Sequence, residues 1–167
     1  TDITGTRPGL IPDSKYYDRW YGHHTWAFST IRSIAIGQGE VKVTPLQMAN
    51  LAAIIANKGW FITPHFVKDI GGNGPREIYN VKHKAMVDTK YYDPIIEGMR
   101  RVVNEAGGTA RQARIEGVTV CGKTGTAQIL ENGKYTKKYI TSFVGYFPAH
   151  APKYSAMVLI KNPRGWY

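Results

Sequence analysis

The 167-residue sequence holds a single cysteine, Cys121. No intrachain disulfide can form, and one thiol says little about redox compartment. Its place before Gly122, in a run of strand-forming residues, predicts a buried thiol rather than a nucleophile. Apolar runs near twenty residues are absent, so nothing in these residues is expected to span a bilayer, and no signal-peptide pattern opens the chain. Internal repeats are absent too. His23-His24 has neither a carboxylate nor a third histidine at ligand spacing, which leaves the pair as loop residues and predicts no metal site. Acidic residues are scarce, 12 Asp and Glu against 22 Lys and Arg, for a formal net charge of +10.

That basic excess raises the question of nucleic acid. The cations are scattered, at Arg100, Arg101, Arg111, Arg114, Lys134, Lys137 and Lys138, and no DNA- or RNA-reading motif frames them. No nucleic-acid partner is therefore expected. A basic surface suits anionic lipid headgroups or an acidic cell-wall polymer equally well. With 43% apolar and 20% charged residues, the composition is that of one folded domain with a real core.

Helix signals occur twice. Thr44 reads as an N-cap, with Pro45 at the first helical position and Gln47 placed for a capping box; Asn57-Lys58-Gly59 ends the run. Its alanines, together with Leu46, Leu51, Ile54 and Ile55, predict a helix buried on most sides. A second helix is predicted over 91–105, with Pro94 in its first turn and Ile95, Ile96, Met99, Val102 and Val103 as the apolar stripe. Gly107-Gly108 stops it, and 109–114 reads as a short further turn. The first 22 residues, with Pro8 and Pro12, read as an extended loop, and Trp20, Tyr21, Trp26 and Phe28 as packing anchors. An apolar segment over 29–36 leads into the Gly37-Gln38-Gly39 turn. Residues 60–70 read as a strand interrupted by Pro64, and 77–88 as a polar connection. Three strands are predicted in the last third, over 118–130, 142–147 and 154–161, with a loop at Asn132-Gly133 and short connections that suggest an antiparallel meander.

The most informative stretch is Val118-Thr119-Val120-Cys121-Gly122-Lys123-Thr124-Gly125-Thr126-Ala127-Gln128. A period of two places Thr124, Thr126 and Gln128 on one strand face, a row of two hydroxyls and an amide able to hold a carboxylate. Lys123 adds a cation, and Gly125 lets a ligand approach the backbone. Lys123-Thr124-Gly125 resembles the Lys-Thr-Gly element of penicillin-binding proteins and serine β-lactamases. The longer string through Gln128, with Ile36-Gly37-Gln38-Gly39-Glu40 and Val43-Thr44-Pro45-Leu46-Gln47-Met48-Ala49, resembles the class B transpeptidases.

The resemblance implies an α+β fold, part of the penicillin-binding-protein/serine β-lactamase-like transpeptidase fold, with an antiparallel sheet packed with helices. In that family a serine in Ser-x-x-Lys attacks the D-Ala-D-Ala end of a peptidoglycan stem peptide. A Ser-x-Asn element assists proton transfer, an amine of a second stem peptide resolves the acyl-enzyme, and β-lactams acylate the same serine. Here no lysine has a serine three residues before it, and none of the five serines has an asparagine two residues after it. Both missing elements precede Lys-Thr-Gly in the family, and 162–167 resembles the approach to its closing helix. Residues 1–167 are therefore expected to be the C-terminal portion of a transpeptidase domain. The resemblance assigns Lys123 a catalytic role and Thr124, Gly125, Thr126 and Gln128 substrate binding, with no nucleophile in this chain and no cofactor.

The partners it implies are stem peptides ending in D-Ala-D-Ala, β-lactam antibiotics and other cell-wall synthesis proteins. It also implies the extracytoplasmic face of the bacterial inner membrane, with an anchor outside these residues. The isolated chain is expected to be inactive and prone to self-association. Residues 36–56, 91–101 and 121–128 resemble the elongation-class, penicillin-binding protein 2 type, while 142–148 also resembles the division class. A non-catalytic carboxylate-binding module and a basic interaction domain are the alternatives of other classes.

Overall fold

The structure, a computed structural model, describes residues 1–23, 25–131 and 134–164. The expectations for His24, the Asn132-Gly133 loop and residues 165–167 lie outside the described residues. Helix α1 spans Ser14–Tyr21, α2 Phe28–Ala35, α3 Pro45–Ala56 and α4 Tyr92–Asn104. A two-stranded ladder pairs β1 (Trp60–Phe61) with β2 (His83–Lys84). The main sheet is antiparallel in the order β3 (Cys121–Glu131), β4 (Lys134–Phe147), β5 (Tyr154–Lys161), so the last third of the chain is the expected meander, with β3 starting at Cys121 rather than 118 and β4 at Lys134 rather than 142.

Helix α3 begins as the sequence dictates. The Thr44 side chain accepts from the Gln47 N–H, and the Gln47 side chain accepts from the Thr44 N–H, which satisfies two otherwise open helix-end donors. The helix is not, however, buried on most sides. Only Ala52 is fully enclosed, and Leu46 and Leu51 are exposed. One side of α3 rests on β4 and β5, while Met48 and Leu51 border an open apolar cavity. Helix α4 buries Met99 and Val103 of its predicted stripe, together with Tyr92, and contributes to both halves of the core, while Ile95 is exposed.

Those halves sit on the two faces of β3. Met99, Cys121 and Tyr146 form one cluster with Ile55 and Ala56, and Val103, Ala110 and Val120 form the other with Phe143 and Phe147. Alternation along β3 sends Val120 and Cys121 to opposite sides, which accounts for the division. Burial holds both the Cys121 thiol and the Tyr146 phenol above their usual pKa ranges.

Two segments differ from the sequence reading. The first 22 residues are not all extended: Asp13 caps α1 by accepting from the Tyr16 N–H, at 2.8 Å. Buried Tyr17 stacks on Tyr21 and packs against Trp26, and Glu40 accepts from both tyrosine hydroxyls. Burial and the Glu40 carboxylate push the Tyr17 phenol up to about 12. This tertiary cluster holds a helix too short to be stable alone. Trp20 and Phe28 are not packing anchors but lie exposed. The strand expected over 60–70 is only two residues long. Pro64 brings no N–H to a ladder, and the Phe66 and Val67 N–H groups are taken by the Asp2 carboxylate.

Candidate active site

Strand β3 is an edge strand of its sheet among the described residues, and its composition decides what that edge offers. Thr119 O accepts from Ala149, just past β4, whereas Val120 O accepts from the Asn104 side chain and Thr124 O from Lys123 Nζ at 2.7 Å. In an antiparallel pair successive residues turn their backbone polar groups alternately toward and away from the partner. Even-numbered residues of β3 thus direct N–H and C=O away from β4, and the Thr126 N–H points out at the same edge as Thr124 O.

The register sets the residues of this edge against Val144 (Lys123), Phe143 (Thr124), Ser142 (Gly125) and Thr141 (Thr126). Lys123 and Thr126 are exposed, and Thr124 is half-buried. The side chain of Lys123 leaves the opposite face from the two threonines, yet its amine bends back to Thr124 O, which brings the cation to the strand's open edge. Gln128 shares the threonine face, but its amide nitrogen donates to Thr136 O on β4 at 2.6 Å and is occupied within the hairpin. Gly125 leaves open space except toward the Ser142 hydroxyl.

Sequence reasoning missed one contributor. The Thr109 hydroxyl lies 3.0 Å from that of Thr124. The signal was the Gly107-Gly108 pair just before it, read only as a helix stop. A Cβ at Gly108 would fall 2.3 Å from Val102 O, so only glycine lets this loop fold tightly over the end of α4. Ala110 then anchors the loop, donating its N–H to Val102 O and burying its methyl beside Val103 and Val120.

Beside β3 lies a cavity of about 470 Å³ lined by Met48, Leu51 and Ile55 of α3, Ile95 and Met99 of α4, and Lys123. Lys123 brings the charge to an otherwise apolar wall. A larger cavity, about 660 Å³, lies between the N-terminal segment and the start of α3, and no β3 residue lines it. The hydroxyls, outward N–H and cation all sit on β3, so the chemistry belongs to that edge rather than to the larger space. It can bind a carboxylate and stabilise a developing oxyanion. Among the described residues no three His, Cys, Asp or Glu side chains gather as metal ligands.

The chain matches known proteins of one family. The family model described as the penicillin binding protein transpeptidase domain matches residues 2–166. Stage V sporulation protein D of Bacillus subtilis is 35% identical over 136 residues, covering 78% of this chain and 21% of that protein. The peptidoglycan D,D-transpeptidase MrdA of Haemophilus influenzae is 32% identical over 182 residues, covering 93% of this chain and 26% of that protein. The crystal structure of Pseudomonas aeruginosa PBP2 in complex with WCK 5153 superposes with a TM-score of 0.81 at 31% identity, covering 97% of this chain and 35% of that one. The chain thus spans about a quarter of the length of the curated relatives it matches.

Proposed function

Because this chain belongs to the class B penicillin-binding protein transpeptidase domain family, we propose that it supplies one edge of a peptidoglycan D,D-transpeptidase site. The observation that carries the reading is the open edge of β3, which carries Thr124 and Thr126, an outward Thr126 N–H and the Lys123 amine held at the Thr124 carbonyl. In the proposed reaction a serine from outside these residues attacks the penultimate D-alanine carbonyl. An ester forms, the amide bond breaks, and the terminal D-alanine leaves with a proton on its nitrogen. The amine of a second stem peptide then displaces the serine and completes the cross-link.

Residues of this chain act on binding and charge. Thr124 and Thr126 donate to the terminal carboxylate, in charge-assisted hydrogen bonds that are stronger than neutral ones. The Thr126 N–H donates to the tetrahedral oxyanion, a preorganised contact that strengthens as charge develops. Lys123 keeps the edge positive and aids proton movement from the nucleophile. Residues 1–167 would be the C-terminal portion of the catalytic domain, and its β-lactam ligands would enter as carboxylate-bearing mimics of D-Ala-D-Ala. The whole protein would work at the extracytoplasmic face of the inner membrane, with other cell-wall synthesis proteins.

Labelling with a fluorescent penicillin tests the chemistry. The full-length protein is expected to carry a covalent label and the isolated 167-residue chain none, because a serine nucleophile needs an adjacent base. A penicilloyl adduct on the isolated chain, read by intact mass, would refute the assignment of the nucleophile to other residues. A full-length protein that binds D-Ala-D-Ala without ever being labelled would instead be a carboxylate-binding module.

For the cellular role we propose elongation, on the likeness of residues 36–56, 91–101 and 121–128 to the penicillin-binding protein 2 type. Depletion of the protein is then expected to round the cells. Filaments with unfinished septa would assign it to division.

A further inference from the structure

We propose that Thr109 is a positioning residue that orients the Thr124 hydroxyl toward the substrate carboxylate. The proposal rests on the reading of Thr124 as a carboxylate donor. The two hydroxyls lie 3.0 Å apart, and either can be the donor in the free protein. A carboxylate is acceptor-only, so its arrival forces Thr124 to donate outward. Thr124 Oγ1 can then only accept from its neighbour, and the proton order becomes Thr109 to Thr124 to carboxylate. A chain of hydrogen bonds running in one direction polarises each member, which strengthens the final contact.

The placement of Thr109 fits that task. It lies between Gly108, pressed against the carbonyls that end α4, and Ala110, buried in the core cluster of Val103 and Val120. Both neighbours are fixed by packing, so the Thr109 hydroxyl is held by the fold, although its own side chain reaches solvent. The Thr124 hydroxyl proton rotates among several orientations unless a partner fixes it. A fixed partner that favours one of them lowers the ordering cost of binding.

The test is a double-mutant cycle on the full-length protein, reading the second-order rate of acylation by benzylpenicillin, whose carboxylate stands in for that of the stem peptide. Thr109→Val keeps the shape and removes the hydroxyl, and is expected to slow acylation about three- to tenfold, the range of one net hydrogen bond. Thr109→Ser should restore the rate to within about twofold. Thr124→Val should slow it more, and adding Thr109→Val to Thr124→Val should change nothing further, because the first residue acts through the second. Multiplicative losses would overturn the proposal by showing that Thr109 acts independently through its loop. A normal rate for Thr109→Val beside a slow Thr124→Val would also overturn it while leaving the site reading intact. A normal rate for Thr124→Val would remove the site reading itself and this proposal with it. Thermal melting of each variant reports folding, with Thr109→Ala as the substitute should valine prevent it.

Discussion

Replacing Lys123 by alanine in the full-length protein is expected to slow acylation by benzylpenicillin about a thousandfold, the upper range for losing one oxyanion-stabilising group. Lys123 brings the cation to an otherwise apolar wall that includes Met48, Leu51, Ile55, Ile95 and Met99, and its amine lies 2.7 Å from Thr124 O. Lys123 is exposed in the free protein, and a bound substrate that excludes water from the β3 edge strengthens its field there. The substrate brings a carboxylate there and the reaction adds an oxyanion, so removing the cation affects both binding and the barrier. The Thr126→Ala change makes the useful comparison. It removes one hydroxyl donor worth about 1.5–3 kcal/mol, about one to two orders of magnitude, and keeps the backbone N–H. A folded Lys123→Ala protein that acylates at the parental rate would refute the placement of the reaction at this edge.

A large loss of stability is expected for Gly122→Ala. Gly122 and Gly145 face each other in register, and the Phe143 ring lies over them. A Cβ on Gly122 would sit 2.2 Å from the ring tip, far inside van der Waals contact. Phe143 cannot swing clear without leaving the cluster of Val103, Ala110 and Val120. Overpacking of this kind costs about 1–3 kcal/mol. Gly145→Ala should cost at least as much, because its Cβ would meet the Cys121 carbonyl at 2.4 Å, and backbone yields less readily than a side chain. Urea unfolding of the full-length protein measures both changes through the midpoint. An unchanged midpoint for Gly122→Ala would show that the ring relaxes at no cost. Lys123 follows directly on this packed position, so the same contacts that hold β3 to β4 fix where the site begins.

The elements legible from the sequence are those whose causes are local. Thr44, Pro45 and Gln47 carry the start of α3 in three side chains, and both halves of the capping box form. The apolar residues from Ile96 to Val103 define α4 by their period, and β5 occupies the expected residues 154–161. The longer string from Gly122 to Gln128 pointed to the family, and the role proposed for Lys123 to Thr126 rests on the chemistry of those residue types. Helix α1 was not legible, since its eight residues, Ser14 followed by aromatic and charged ones, have no helical preference strong enough to act alone. What holds them is Glu40, more than twenty residues away in sequence from Tyr17.

Tertiary structure alone decided the remainder of the site. Strand period places Gln128 beside Thr124 and Thr126, but only the fold shows its amide spent on the Thr136 carbonyl. The same period puts Lys123 on the other face, and only the bend of its side chain returns the amine to the edge. Thr109 lies fifteen residues from Thr124 and in no common pattern with it. Their meeting follows from Gly108 closing over α4 and Ala110 burying itself beside Val120. Sequence alone determined which groups could recognise a carboxylate, because that is a property of the side chains. Which of them stand free, face outward and reach one another was settled by packing, because a hydrogen bond depends on distances that no local pattern encodes.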